Sequence, residues 1–264
     1  MEKKYKLTEE TINVFNKTLY RIEALRDFND VKKGDKGGFV EKEDNLSQSD
    51  NCWVYGNAKV FGNAKVFGNA EVYDNAKVYG NAVVYGNARV RDNAWVWGNA
   101  EVYDYAEVCG NAEVYNNAKI FGDAIVGGDA NIFGNARVFD KAKVYGNAEI
   151  FDDAKIYDDA KIYGLAWVYR NAEVCGSAEV CGDARICADA KVESNGDYIV
   201  FKNWWSSGRY FTWTKSNDMW KVGCFYGTGK ELIDKAYRDS EISGREYERI
   251  VKYVETINND LEIM

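Results

Sequence analysis

Histidine and proline are both absent from the 264 residues of this chain. Without histidine, the chain has no imidazole to act as a general base near neutral pH or to bind zinc. Without proline, every peptide unit keeps the N–H group that a hydrogen-bonded strand ladder needs. The absence of proline is compatible with an extended β architecture, and the absence of histidine excludes imidazole-based catalysis.

Long hydrophobic runs and a surplus of basic residues are also missing. No segment approaches the roughly 18 apolar residues of a membrane span. The first residues, Met1–Tyr5, lead into polar sequence and not into the apolar stretch of a signal peptide. The net charge is −8, whereas a general nucleic-acid-binding protein needs a basic footprint. We therefore expect a cytoplasmic protein with no membrane contact and no general nucleic-acid binding.

The middle of the chain repeats with a period of six residues. Every sixth residue from Ala58 to Ala190 is alanine, and valine or isoleucine follows each alanine by two positions. In the typical unit Gly62–Phe67, alternation places alanine and valine inward, and the Gly-Asn pair suits a corner. Such a period predicts a solenoid of about eight coils, each with three six-residue sides.

The composition divides the chain into three parts. Residues 1–56 form an N-terminal β cap, in which Gly34–Gly38 is expected to be a tight, glycine-driven turn. Residues 57–194 are the solenoid, and residues 195–264 form a small α+β domain that closes its open end. Strands are expected at Asp197–Trp205, Arg209–Lys215 and Met219–Phe225, and helices at Gly229–Asp239 and Gly244–Ile257.

The repeat unit Gly-Asn-Ala-x-Val-aromatic resembles the hexapeptide-repeat class of left-handed parallel β-helices. This resemblance implies a mainly β fold with left-handed coils and, as in many members, assembly as a trimer. The segments Gly34–Glu41 and Trp220–Thr228 are similar to the flanking modules of hexapeptide-repeat proteins from phages and prophages. They imply an origin in an infected or lysogenic bacterium and carry no settled activity.

The resemblance also bears on catalysis. Acyltransferases of this class use a histidine base, and its carbonic anhydrases bind zinc through three histidines. Since the chain has no histidine, we predict that the protein is not an enzyme and that it holds no cofactor or metal. The pairs Asp152-Asp153 and Asp158-Asp159 lie at corners, where aspartate is first of all a turn former.

The outer surface carries aromatic columns, because the last residue of most units is aromatic. One column is broken at Arg91, Cys109 and Gly127, and the gap is a candidate groove for a planar or anionic ligand, or a seat for another subunit. Variation at a tolerant surface position is the alternative. The free thiols Cys175, Cys181 and Cys187 lie six residues apart, on three different corners, so they cannot bridge one another. Such thiols suit a reducing compartment.

Aromatic residues on one face of the solenoid indicate self-association, with a trimer favoured. The expected interface contains Trp95, Trp97, Tyr115, Phe133, Phe151, Trp167 and Tyr169. The alternative is that the column is only a structural stack along the solenoid edge.

The C-terminal domain is the second candidate for ligand binding. Tryptophans are interleaved there with cations, a combination that stacks and neutralises nucleotides. The candidate residues are Trp204, Trp205, Arg209, Tyr210, Trp213 and Lys215. The alternative is that the tryptophans form the core of a small domain.

Three functional hypotheses follow. The first is a phage or prophage binding protein that counters host defence by sequestering a nucleotide-like signal or by blocking a host protein. The second is a structural oligomer that acts as a rigid scaffold. The third, the alternative to the prediction that the protein is not an enzyme, is an unrecognised enzyme that relies on Asp or Glu side chains. The sequence identifies neither the ligand nor the host partner.

Overall fold

The computed structural model describes residues 2–263 and the side chains of residues 2–258. Its body is a parallel β-solenoid of about nine turns, which confirms the predicted fold class. Each turn contains three two-residue strands separated by corners, and each strand pairs in register with the strand one coil away. The left-handed twist of the coil stays a prediction.

The strands form three flat faces, which we name A, B and C. Face A contains Lys36–Val40, Lys59–Val60, Lys77–Val78, Trp95–Val96, Glu113–Val114, Asn131–Ile132, Glu149–Ile150, Trp167–Val168 and Arg185–Ile186. Face B contains Lys65–Val66, Val83–Val84, Glu101–Val102, Lys119–Ile120, Arg137–Val138, Lys155–Ile156, Glu173–Val174 and Lys191–Val192. Face C contains Trp53–Val54, Glu71–Val72, Arg89–Val90, Glu107–Val108, Ile125–Val126, Lys143–Val144, Lys161–Ile162 and Glu179–Val180.

The solenoid core consists of the repeated alanines and β-branched residues. Ala124 and Val126 are fully buried, as are their equivalents along the coils, while the intervening Ile125 faces outward and is half-buried. Strand alternation produces this pattern, since neighbouring side chains point to opposite faces. The corners need left-handed backbone angles, which Gly128 (φ 67°) and Asp140 (φ 55°) supply.

The first coil begins inside the segment predicted to be a cap. An antiparallel hairpin, Tyr5–Val14 and Lys17–Ala24, leads to Lys36–Val40, which pairs in parallel with Lys59–Val60. A short 3-10 helix follows at Glu43–Asn45. This extra coil explains why the structure has about nine turns where the repeat predicts about eight: residues 36–54 adopt the coil without its sequence signature.

The glycines around the start of this coil have two different roles. Only Gly34, with φ 92°, supplies the expected turn. Gly37 and Gly38 lie in the strand, where an added Cβ would come within 2.6 Å of the Val54 carbonyl and 2.5 Å of the Ala58 carbonyl respectively. They therefore permit close packing of the strand on the coil.

The C-terminal module is an antiparallel sheet packed on two helices. Its strands are Tyr198–Lys202, Tyr210–Thr214, Met219–Val222 and Phe225–Gly227, and its helices are Gly229–Asp239 and Glu241–Ile263. A 3-10 turn at Asn195–Asp197 connects it to the solenoid. The fourth strand was not predicted, and the second helix begins earlier than Gly244. Among the described residues, neither helix is long and apolar enough to cross a membrane.

Backbone hydrogen bonds give the solenoid a direction. The N–H groups of Asn57, Lys59 and Phe61 donate to carbonyls of the following coil, over 2.8, 2.9 and 3.0 Å. The same pattern recurs in most later units, for example from Lys119 and Phe121. At the C-terminal end of the solenoid these N–H groups have no further coil to donate to, and at the N-terminal end the matching carbonyls have no preceding coil to accept from.

Side-chain oxygens of the module meet the N–H groups of the last coil. Arg185 N donates to Thr212 Oγ1 at 2.9 Å, and Lys191 N donates to Ser216 Oγ at 2.7 Å. Glu179 N donates to the Asn195 side chain at 2.7 Å. Because an unpaired buried amide is costly, these acceptors stabilise the end of the solenoid.

Donors from the cap meet the carbonyls of the first coil in the same way. Tyr5 Oη donates to Leu46 O at 2.8 Å, and Arg21 Nη1 donates to Gly37 O at 2.7 Å. The Lys4 ammonium group donates to two further carbonyls of this coil. The module thus supplies acceptors to one end of the solenoid, and the cap supplies donors to the other.

Candidate functional site

A cleft lies where the C-terminal module meets the last coils of the solenoid, and we name it the junction cleft. It consists of two adjoining cavities of about 330 and 390 Å³ that share Arg209 and Gly223. The first lies within the module and is lined by residues that include Asn203, Ser206, Ser207, Cys224, Lys235 and Tyr247. The second cavity lies against the solenoid. In addition to the two shared residues, Asp183, Arg185 and Tyr210 line it. The combined volume suits a small-molecule ligand.

The loop between the first two module strands shapes one wall of the cleft. Asn203 is buried and organises this loop: its Oδ1 accepts from the Ser206 backbone N and Oγ, at 3.0 and 2.9 Å. Its Nδ2 donates to Tyr247 Oη at 3.0 Å, and its backbone N donates to Arg209 O at 2.8 Å. Burial raises the pKa of Tyr247, so this hydroxyl stays neutral. These bonds fix the backbone from which the Arg209 side chain projects.

The Arg209 guanidinium group lies over Gly223. A Cβ added to Gly223 would lie 3.4 Å from Arg209 Nη1, and this glycine has φ 54°. Among the described residues, no carboxylate forms a salt bridge with Arg209. Lys235, which also lines the cavity within the module, lies 3.9 Å from Asp239. Arg209 therefore brings into the cleft a positive charge that forms no salt bridge with the described residues.

Aromatic rings and further cations border the cleft on both sides. The Arg185 guanidinium carbon lies 3.8 Å from the centre of the Trp167 ring, a cation–π contact. On the module side, Tyr210 is 39% exposed and Lys202 Nζ lies 5.5 Å from its ring centre. Among the described carboxylates, Asp183 lines the cavity next to the solenoid and Asp239 lines the cavity within the module. The site can therefore stack a planar group and neutralise an anionic one.

The structure distributes the predicted C-terminal residues over different environments. Arg209 and Tyr210 line the junction cleft. Trp213 is buried and its Nε1 donates to Asp218 at 2.8 Å, so it belongs to the module core. Trp204 is 73% exposed and stands edge-on to the half-buried Trp205, and Lys215 is half-buried away from the cavity linings.

The gap in the broken aromatic column, at Arg91, Cys109 and Gly127, contains charges that are already balanced. Arg91 Nε donates to Glu107 at 2.7 Å, and Arg91 Nη1 donates to Asp92 at 2.9 Å. The bond to Glu107 raises the pKa of Arg91. The Cys109 thiol occupies the space that Gly127 leaves, 3.0 Å from the position of an added Cβ. The Arg91 guanidinium group is therefore paired with carboxylates, unlike that of Arg209 in the junction cleft.

Five of the seven predicted interface residues stack on one another in a continuous column. Trp97 and Tyr115 have ring centres 4.5 Å apart, and Phe133, Phe151 and Tyr169 continue the column at 4.9 to 5.0 Å spacings. Trp95 and Trp167 stand beside this column, covered by Lys77 at 3.9 Å and by Arg185. The rings thus cover much of one another, and assembly through this face stays a prediction.

Within the described residues, no group of three Cys, Asp or Glu side chains has a metal-binding arrangement. Asp152 and Asp158 instead accept from the backbone N–H groups of Arg170 and Gly176, at 3.3 and 3.0 Å. These carboxylates stabilise the corners, in agreement with their interpretation as turn formers.

Several cleft residues were missed at the level of sequence, among them Asp183, Arg185, Gly223, Cys224 and Lys235. Asp183 and Arg185 occupy ordinary corner and outward positions of the repeat, where charged residues are normally solvated. Only their position in the sequence could have indicated them. Both residues lie in the last full coil, which a C-terminal domain must contact.

Comparison with known proteins adds two findings. No family model matches the chain. A stretch of 40 residues, 15% of this chain, is 48% identical to the "uncharacterized acetyltransferase YdcK" of Escherichia coli (strain K12). The stretch spans only 12% of that protein. The match fits the hexapeptide-repeat character of the solenoid and does not extend to the whole of either chain.

This match corrects one prediction from the sequence. The conclusion that the protein is not an enzyme is wrong, because the matching stretch belongs to a protein named as an acetyltransferase and the chain has the solenoid of that class. The prediction treats histidine as indispensable. Glutamate, aspartate, cysteine, lysine and tyrosine side chains also serve as general bases when they are suitably placed.

Proposed function

We propose that the protein binds a nucleotide-like anion in the junction cleft. The observation that carries this proposal is the placement of two arginines, Arg185 and Arg209, around one cavity, with no salt bridge to Arg209 among the described residues. Arginine presents a planar fork of donors that suits phosphate oxygens. Tyr210, beside it, offers a partly exposed ring for a planar base.

We further propose that holding such a ligand is the protein's role in an infected or lysogenic bacterium, where sequestering a nucleotide signal counters host defence. This step rests on the resemblance of Gly34–Glu41 and Trp220–Thr228 to flanking modules of phage-type hexapeptide proteins. The fold alone does not determine the function.

The binding proposal is tested by titration calorimetry with ATP, coenzyme A and inorganic phosphate. We expect Arg209→Ala to weaken nucleotide binding by about ten-fold or more, as loss of a charge-assisted hydrogen bond requires. Arg91→Ala is the matched control, because its guanidinium group is balanced by Glu107 and Asp92. Equal affinities of wild type and Arg209→Ala would show that the cleft is not the site.

A second candidate function is acetyl transfer, favoured by the solenoid class and by the 40-residue match to YdcK. Acetyl-coenzyme A carries a phosphorylated nucleotide, so the same cleft would hold the donor. A thiol-release assay with acetyl-coenzyme A and a panel of amine and hydroxyl acceptors tests this candidate. Acceptor-dependent release that is lost in Arg209→Ala supports it, whereas release at the background rate with every acceptor counts against it.

The scaffold hypothesis is separated from both by native mass spectrometry of the purified protein. An oligomer that carries extra mass of nucleotide size supports ligand binding. An oligomer without such mass, combined with no response to the three titrants, favours the scaffold and directs attention to protein partners.

A further inference from the structure

Lys4 is a fully buried lysine with an unusual set of partners. Its side chain extends from the N-terminal hairpin to the first coil, where Nζ donates to Asp50 O and Cys52 O, both at 2.8 Å. Nζ also lies 3.4 Å from Cys52 Sγ and 5.2 Å from the ring centre of Phe28. The cysteine is fully buried as well. An amine and a thiol are thus held in contact inside the protein.

Buried lysines normally pair with a carboxylate. Lys4 does not form a salt bridge with any carboxylate among the described residues, and the nearby Asp50 carboxylate accepts from Gly68 N at 3.1 Å. The two carbonyl contacts account for the capping role of Lys4 at the first coil. The third contact, to sulfur, is not needed for that role.

Burial changes the protonation equilibria of both groups. Burial lowers the pKa of Lys4, so the neutral amine, which has a free electron pair, is more accessible than in an exposed lysine. Burial raises the pKa of Cys52, which keeps the thiol reduced and inert towards bulky reagents. Only a small oxidant would reach the pair.

We propose that Lys4 and Cys52 are a redox modification site, in which a peroxide joins Nζ and Sγ through a bridging oxygen. This inference is independent of the proposed ligand binding. It concerns the opposite end of the solenoid and does not involve the junction cleft.

The reaction balances with two molecules of hydrogen peroxide. The first oxidises the Cys52 thiol to a sulfenic acid: the S–O bond forms, the O–O bond breaks and one water leaves. The second accepts two electrons from the nitrogen as the N–O bond forms, with loss of one proton from the amine and one from the sulfenic acid, and two waters leave. Sulfur and nitrogen each lose two electrons, and the product is Lys4 Nζ–O–Sγ Cys52.

The geometry favours a bridging oxygen over a direct sulfur–nitrogen bond. An oxygen atom fills most of the 3.4 Å between Nζ and Sγ. A direct bond would require a much larger approach of two buried groups that are each held by further hydrogen bonds, such as the one from Cys52 Sγ to Val66 O at 3.4 Å. Close-packed interiors resist such movement.

The cross-link would fasten the cap to the first coil. At present Lys4 holds this end through hydrogen bonds alone, whereas the linked form would close a covalent loop from the hairpin to Cys52. Closing a long loop restricts the unfolded chain and stabilises the folded one, as a disulfide does. The modified protein should therefore be more resistant to thermal unfolding, and thiol reductants should reverse the effect.

The test is peptide mapping of the full-length protein after treatment with hydrogen peroxide. We expect a linked pair of peptides that contain Lys4 and Cys52, one oxygen heavier and two hydrogens lighter than their sum. The pair should disappear on treatment with dithiothreitol, and its yield should match the loss of alkylatable Cys52 thiol. The linked protein should melt at a higher temperature than the reduced protein.

Matched variants and internal controls make the test decisive. Cys52→Ala and Lys4→Arg should remove the linked pair, whereas Lys3→Arg, which alters a neighbouring exposed lysine, should retain it. Cys224 is exposed and reports how far oxidation has proceeded. Because the wild-type map suffices, the test does not depend on the folding of any variant. Cys52 that remains a free thiol or becomes only a sulfinic acid while Cys224 is fully oxidised would overturn the proposal. So would a linked pair that lacks the oxygen.

Discussion

The solenoid and the C-terminal module use aromatic residues and charges in different ways. In the solenoid, most rings of the aromatic columns stack on an equivalent ring one coil away, and several outward cations pair with a glutamate in the neighbouring coil, as Lys155 does with Glu173 at 2.8 Å. In the module, the angles between rings vary, from 22° for Phe201 and Phe211 to 83° for Trp205 and Tyr247. There the Arg209 guanidinium group projects into a cavity.

This difference shows why a strictly repeated surface does not readily form a binding site. A repeated position finds the same neighbours in every coil, so its hydrogen bonds and charges are satisfied by its own equivalents. A cavity with converging groups needs several unlike residues in one place, which repetition does not provide. The candidate site therefore lies at the junction, where the repeat ends and unique residues begin.

The largest expected effect comes from placing a charge in the repeated core. Val126→Asp puts a carboxylate where the native side chain is fully buried, so the free energy of unfolding should fall by more than about 3 kcal/mol. Ile125→Asp, at the neighbouring outward position, should change it by about 1 kcal/mol or less. Thermal unfolding followed by circular dichroism measures both. Similar losses in the two variants would contradict the strict inward–outward alternation.

Corner glycines distinguish the interior of the repeat from its end. Gly128 and Gly182 both have left-handed angles, φ 67° and 63°, so alanine at either should cost about 1–2 kcal/mol. At Gly128, the new Cβ would also lie 2.7 Å from Gly146 N, whereas at Gly182 nothing lies within 4 Å. Gly128→Ala should therefore lower the melting temperature more than Gly182→Ala. Equal shifts would mean that neighbouring coils move apart without cost.

Two tryptophan-to-phenylalanine substitutions compare the indole N–H groups of the two regions. Trp213 Nε1 in the module donates to Asp218, so Trp213→Phe should cost about 1–2 kcal/mol. Trp97 Nε1 in the solenoid column is buried without a partner among the described residues, so Trp97→Phe should be close to neutral or slightly stabilising. Chemical denaturation of both variants gives the comparison. A clear loss for Trp97→Phe would reveal a bond to another subunit or to an ordered water.

The smallest expected effect concerns acid stability. The hydrogen bond from Lys155 holds the pKa of Glu173 below its usual value of 4.5. Its stabilisation is therefore complete above pH 4.5 and is lost as the pH falls through the lower, folded-state pKa. The pair is partly exposed and screened by solvent, so Glu173→Gln should cost less than about 1 kcal/mol at pH 7. The difference in melting temperature from wild type should shrink as the pH falls below 4.5 and vanish once the carboxyl is protonated, and a difference that persists in acid would rule out this ion pair as its cause.

The sequence predicts the solenoid well because its period directly encodes alternation and corners. Ala124, Val126 and Gly128 each occupy the environment that the hexad assigns to them. The first coil could not be predicted in the same way. Residues 36–54 lack the Gly-Asn-Ala signature, and their position depends on long-range contacts such as the one between Gly38 and the Ala58 carbonyl.

The candidate site was predictable only in part. Arg209 and Tyr210 were indicated by their aromatic neighbours in the module sequence, whereas Arg185 comes from the solenoid and reaches the site only through docking of the two regions. Local composition also does not separate core from surface. Trp213 and Trp204 lie nine residues apart in similar sequence, yet the first is buried and the second is exposed.

The hydrogen-bonding groups at the two solenoid ends have a consequence for assembly. The N–H groups left at one end are complementary to the carbonyls left at the other, so an uncapped solenoid could stack head to tail on further copies of itself. Such a contact joins unlike surfaces and does not close, and it therefore leads to a filament. The acceptors Thr212, Ser216 and Asn195 at one end, and the donors Lys4, Tyr5 and Arg21 at the other, occupy the groups that would template growth. The two terminal regions thus keep a self-complementary rod from polymerising.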